Sequence, residues 1–231
     1  MKLSISNLAK TFNRSAGEAN FFYAVKDINM EIDGNNFIEI IGKSGSGKTT
    51  LLNIVAGLLN PDEGIVLYDS TDIFSLNDKE RSKFRNMNIG VVPQGQTGLQ
   101  NLTVYENIVL PSLLYDKEDR SEYAKELLKK LDIESLKDSY PNELSGGELR
   151  RMVIARALIM NPQIIFADEP TGDLDEENTK KVLEILQNIK NEGKIIFMVT
   201  HDKDAVKYAD IIYKMDSGLL TKCDKDTISN K

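Results

Sequence analysis

The chain has 231 residues, of which 41% are hydrophobic and 28% charged. That is the balance of a globular protein, long enough for one large domain or two small lobes. Its net charge of −7 excludes a broad basic surface for nucleic acid, so any anion it binds must be held by a local site.

Residues 1–33 read as strands. Leu3 and Ile5 alternate with polar neighbours, a polar stretch at 13–20 reads as a turn, and Val25, Ile28, Met30 and Ile32 resume the alternation of an antiparallel sheet. The first ten residues lack the apolar core of a signal peptide. No apolar run approaches the roughly 20 residues of a membrane helix. The expected location is therefore the cytoplasm, with any work at a membrane done through a partner. Cys223, the single cysteine, cannot form an internal disulfide and fits a reducing compartment.

Residues 37–41 form a short apolar strand that runs straight into Gly42-Lys43-Ser44-Gly45-Ser46-Gly47-Lys48-Thr49. From Thr50 a helical pattern follows through Leu51, Leu52, Ile54, Val55 and Leu58. A turn at 60–64, a strand at 65–68, a short polar helix at 78–85 and a strand at 89–92, ending at Pro93-Gln94, come next. Helical periodicity fills 103–114, 121–131 and 146–160, with no strand between 92 and 163, which predicts a helical insertion in an α/β core. A buried strand at 164–167, a helix at 179–191, a strand at 194–199, a short helix at 202–208 and a last strand at 211–214 predict a parallel sheet. The expected division is a core of 1–94 and 161–231 and a helical subdomain of 95–160, within one domain.

Three segments carry chemistry. In the first, Gly42, Gly45 and Gly47 free the backbone so that successive amides can face phosphate oxygens, and the following helix adds its positive end. Lys48 can reach the β- and γ-phosphates, and the Thr49 hydroxyl can ligate Mg²⁺. In the second, an apolar strand delivers Asp168 and Glu169 to its C-terminal end, where open α/β sheets bind ligands. Asp168 suits a hydrated Mg²⁺ and Glu169 suits a general base that polarises the attacking water. The third is Leu144-Ser145-Gly146-Gly147-Glu148. Ser145 and Glu148 are spaced as a capping box. Two glycines in a first turn nevertheless cost about 1 kcal/mol each against alanine, and close approach of a phosphate is one reason to keep them.

In this order, with a later histidine, these segments resemble the nucleotide-binding subunit of an ATP-binding cassette (ABC) transporter, from about Leu3 to Gly218. The resemblance implies an α/β fold: a P-loop NTPase core with a mixed sheet, an N-terminal antiparallel β subdomain and an inserted α-helical subdomain. It implies ATP and Mg²⁺ as cofactors and ATP hydrolysis as the reaction. It assigns Phe12 to stacking on adenine, Gln94 to contact with Mg²⁺ and linkage to the helical insertion, Asp175 to a loop along a dimer interface, and His201 to the γ-phosphate. It also implies a dimer in which Ser145, Gly146 and Gly147 of one subunit close on the nucleotide of the other, and a separate membrane permease as partner. Glu148 departs from the glutamine many relatives carry, Lys43 from a proline or small residue, and Leu149 from a polar one. Segments 76–94, 102–111 and 168–175 are similar to the branch serving lipoprotein release, macrolide and antimicrobial-peptide export and division-linked permeases. The rival readings are an ATPase module that signals to a membrane sensor without transport, and a soluble ATPase acting on DNA or ribosomes; the charge and the lack of a basic stretch count against the latter.

Overall fold

The alternation in the first 33 residues becomes two long strands, β1 (Lys2–Asn13) and β2 (Phe21–Asp33). The computed structural model describes residues 1–13, 21–95, 97–115 and 118–225, so most of the turn expected at 13–20 lies outside the described residues. The chain divides into two units, Met1–Ser82 with Phe197–Lys231, and Lys83–Ile196.

In the first unit β1 pairs antiparallel with β2 and with β4 (Glu63–Tyr68), which pairs with the two-residue β5 (Thr71–Asp72). Leu3, Ile5, Leu8, Val25, Ile28 and Ile32 fill the inner face and are almost wholly buried. A second sheet carries β3 (Phe37–Ile41) parallel to β9 (Ile211–Asp216), and β9 antiparallel to β10 (Leu219–Cys223). This part of the sheet is therefore mixed. Asp210 sets the β3–β9 register: its carboxylate accepts the Phe37 N–H at 2.8 Å and its own N–H reaches the Phe37 carbonyl at 2.7 Å. Helix α1 (Lys48–Val55) buries Leu51, Leu52, Ile54 and Val55, and the Tyr68 hydroxyl donates to its last carbonyl at 2.6 Å.

Strand β10 corrects the expectation that 211–214 is the last strand. Its residues are mostly exposed, so no apolar alternation marks it; backbone pairing through the Ser217-Gly218 turn holds it instead. The helix expected at 202–208 is a 3₁₀ turn at Lys203–Lys207.

Helix α2 (Asp78–Asn88) leads into the second unit. There β6 (Ile89–Val92) runs parallel to β7 (Ile164–Asp168), and between them come α3 (Val104–Tyr115), α4 (Ser121–Lys130) and α5 (Gly146–Leu158). Helix α6 (Glu176–Asn191) follows β7, and β8 (Ile195–Thr200) returns the chain to the first unit. Asn107 on α3, fully buried, organises the loop before it: its amide donates to the carbonyls of Leu99, Leu102 and Thr103, and its oxygen accepts the Leu99 N–H.

Candidate functional site

In the first unit the apolar strand β3 stops at Ile41 and the chain turns through Gly42–Gly47 into α1. Gly47 has φ 106°, and a Cβ there would collide with the Ala24 carbonyl of β2, so only glycine lets the loop lie on that strand. Gly47 also occupies the N-cap of α1 without a capping side chain, and no acidic residue sits in the first turn. The first amides and the positive end of the helix thus keep their capacity for an external anion. Lys48 is nearly buried, and its ammonium donates to the carbonyls of Gly42 (2.8 Å) and Lys43 (3.2 Å). The Ser46 hydroxyl is buried with no hydrogen-bond partner among the described residues. Such an orphan calls for an acceptor, and a phosphate oxygen in this loop fits that need. Lys43, Ser44, Gly45 and Thr49 are exposed and Thr50 is half-buried.

Phe12 lies near the end of β1, directly across from Phe22 on β2, with ring centroids 6.1 Å apart. It is 39% exposed, enough ring to receive a base. His201 follows β8 and is exposed.

One buried acid of the first unit went unnoticed within the apolar run. Glu39, in the middle of β3, has no exposed surface, and both carboxylate oxygens lack a hydrogen-bond partner among the described residues. Burial pushes its pKa up to about 8, Asp202 adds to the rise, and Lys225 opposes it.

In the second unit, β7 is buried along its whole length and delivers Asp168 and Glu169, which are 5% and 8% exposed. Glu169 adopts φ 45° immediately before Pro170, a left-handed conformation costly for a side chain with a Cβ. The Gly172 N–H, bonded to the Glu169 carbonyl at 3.1 Å, closes the turn that holds it there. The chain then reaches Asp175, which caps α6: its carboxylate accepts the Asn178 N–H and the Asn178 side-chain amide, both at 2.8 Å.

Ser145 and Glu148 form the expected capping box on α5. The Ser145 N–H and hydroxyl donate to Glu148 Oε2 at 2.8 and 2.7 Å, and the Glu148 N–H returns to Ser145 Oγ at 3.4 Å. These bonds hold the Glu148 carboxyl below its ordinary range. The Ser145 hydroxyl proton is thereby directed to Glu148.

The two glycines of this turn differ. A Cβ on Gly146 would meet only Leu174 Cδ2 at 3.5 Å, an ordinary contact, whereas one on Gly147 would run into the Asn178 side chain. Packing within the unit therefore already explains Gly147. Leu149 is buried beside Gly98.

Arg150 is a functional candidate that the sequence reading missed. Its guanidinium donates to the Pro93 carbonyl at 2.8 Å, next to the exposed Gln94. Burial lowers its pKa, and the charges of Asp173 and Asp168 oppose that. Gly95, Gly146, Arg150, Gly172, Asp173 and Leu174 line one cleft. Within the second unit the Gln94 segment, the start of α5 and the turn after β7 thus share one surface depression. The signal available in the sequence was the pair Arg150-Arg151 directly before the apolar run Met152–Ala155; both side chains are buried.

In the second unit Asp168, at the end of β7, offers Mg²⁺ a single carboxylate. No cluster of three acidic, histidine or cysteine ligands lies among the described residues. That donor set fits an ion that keeps several waters and takes its remaining ligands from substrate phosphates. Among the described residues no helix is long and apolar enough to cross a membrane.

A family model described as "ABC transporter" matches residues 25–172. The lipoprotein-releasing system ATP-binding protein LolD of Buchnera aphidicola is 37% identical over 209 residues, 89% of this chain and 92% of its own. The macrolide export ATP-binding/permease protein MacB of Campylobacter jejuni is 38% identical over 230 residues, 98% of this chain but 35% of its own. Among solved structures, a dimeric post-hydrolysis state of the ATP-binding cassette MJ0796 bound to ADP and Pi superposes with a TM-score of 0.86 at 35% identity, over 95% of this chain and 98% of that one.

Proposed function

This chain belongs to the ABC transporter family, and from that membership we propose how its residues divide the work of an ATP-hydrolysing subunit that drives a membrane transporter. The observation that carries the proposal is the loop 42–49, with its uncapped helix start and the orphaned Ser46 hydroxyl. The amides of this loop hold the β- and γ-phosphates, with Lys48 as the countercharge. Phe12 stacks on the base. Thr49, Gln94 and Asp168 hold Mg²⁺, which when bound neutralises charge on the phosphates.

Glu169 accepts a proton from the attacking water, held in place by its left-handed backbone and the turn to Gly172. His201 contacts the γ-phosphate. Ser145, Gly146 and Gly147 of a second copy close on the same nucleotide, and Asp175 runs along that interface; the dimeric state of a cassette of similar fold supports the pairing of two copies. The power stroke passes to a separate permease, with this subunit on the cytoplasmic face of the membrane. Export or extraction of a lipoprotein, peptide or drug is the cargo class; the LolD and MacB relatives support the lipoprotein and the drug.

The test is Glu169→Gln. Loss of a general base slows turnover by roughly 10²–10⁴ while ATP affinity, measured by calorimetry, stays within about twofold. Unchanged turnover would remove Glu169 from the chemistry.

A further inference from the structure

The turn between α1 and β4 carries a carboxylate whose bonds converge on the segment just before Phe12. Asp62 Oδ1 accepts the Lys10 ammonium at 2.6 Å. Its Oδ2 accepts both the N–H and the hydroxyl of Thr11, each at 2.7 Å. Its own N–H donates to the Ala9 carbonyl at 2.9 Å. One residue thereby grips three consecutive positions, Ala9, Lys10 and Thr11.

This grip falls where the backbone ladder is irregular. The β1–β4 register shifts between Ser6 and Ala9, and the β1–β2 register shifts on both sides of Lys10. From Thr11 to Asn13 the ladder with β2 runs in register again, and the Asp62 side chain anchors β1 at the irregular stretch immediately before it. The Lys10 ammonium held by Asp62 also lies 5.8 Å from the centroid of the Phe12 ring, whose cross-strand neighbour is Phe22. The Lys10 side chain is 15% exposed and that of Asp62 39%, so the pair is sheltered on its lysine side. The same bonds draw the Asp62 carboxyl down to about 2, which keeps it charged at any working pH.

We propose that Asp62 is a positioning residue for nucleobase recognition: by fixing Lys10 and Thr11 it sets the ring of Phe12 for stacking on the base. The proposal rests on the reading of Phe12 as the base platform. It adds to that reading the turn that leaves α1, so the helix that starts at the phosphate loop and the strand that meets the base are tied at Asp62.

The experiment compares ATP with inorganic tripolyphosphate, which has no base, on the full chain. Stacking of a base on an aromatic ring is worth about 1–3 kcal/mol, so Asp62→Ala should weaken ATP binding about tenfold, with kcat within about twofold of wild type. Tripolyphosphate affinity should not change. Asp62→Asn, which keeps an acceptor for Thr11 but loses the charge pair with Lys10, should recover part of the loss. Phe12→Ala should weaken ATP binding similarly, and adding Asp62→Ala to it should cost little more. An equal loss of ATP and tripolyphosphate binding would make Asp62 a general support of the fold and overturn the proposal. Normal ATP binding in Asp62→Ala beside weakened binding in Phe12→Ala would overturn it while leaving the platform in place. Normal ATP binding in Phe12→Ala would overturn the platform itself and the proposal with it.

Discussion

At the scale of single residues, the same chemical type serves different ends. Gly47 is bare because β2 passes over the phosphate loop, and Gly147 is bare because Asn178 occupies the space a Cβ would need. The second case changes the reading of the turn at Ser145–Gly147: the cost of two glycines suggested a phosphate, yet one of them is accounted for by a neighbour in the same unit. Gly147→Ala should therefore lower stability by about 1–3 kcal/mol, as overpacking does, and lower the melting temperature by several degrees. Adding Asn178→Ala should restore most of that loss. If the double variant melts no higher than Gly147→Ala, Asn178 is not what keeps this position bare. Residues of this kind were hard to read in advance. Asp62 looked like part of a turn and Asn178 fell just before the expected helix, because their value lies in contacts across tens of positions that no local pattern records.

At the scale of elements, long periodic segments were legible and short polar ones were not. The order strand, glycine loop, helix could be read directly because hydrophobic period and glycine spacing changed together at Gly42. Strands β5 and β10 were invisible because backbone pairing, not an apolar face, defines them. Strand β3 read as uniformly apolar, which hid Glu39. That acid has a measurable consequence for the strand that delivers the phosphate loop. The unfolded chain releases the Glu39 proton near 4.5, whereas the folded chain keeps it until about pH 8. The folded state thus binds the extra proton between these values, and stability falls as pH rises through that window. Below pH 4.5 the penalty is absent, and above pH 8 it is complete. Glu39→Gln should flatten the loss of stability between pH 5 and 8 in denaturant titrations. A variant with the slope of the wild type would show that Glu39 does not titrate in this way.

At the scale of the whole molecule, the family was legible because four separated segments agree in order and chemistry, and the match over residues 25–172 bears this out. Each unit carries part of the proposed machinery. The loop and Phe12 lie in the first, and the Asp168-Glu169 strand end, Gln94 and the Ser145–Gly147 turn lie in the second. If the Ser145–Gly147 turn serves the nucleotide of a second copy, one chain binds ATP but does not complete the hydrolytic site. The most direct measurement is the ATP hydrolysis rate per chain across a protein concentration series, with sedimentation at saturating nucleotide to locate the monomer–dimer transition. The rate per chain should rise with concentration through that transition and level off once dimers dominate. A rate per chain that stays constant across the same transition would contradict the shared site.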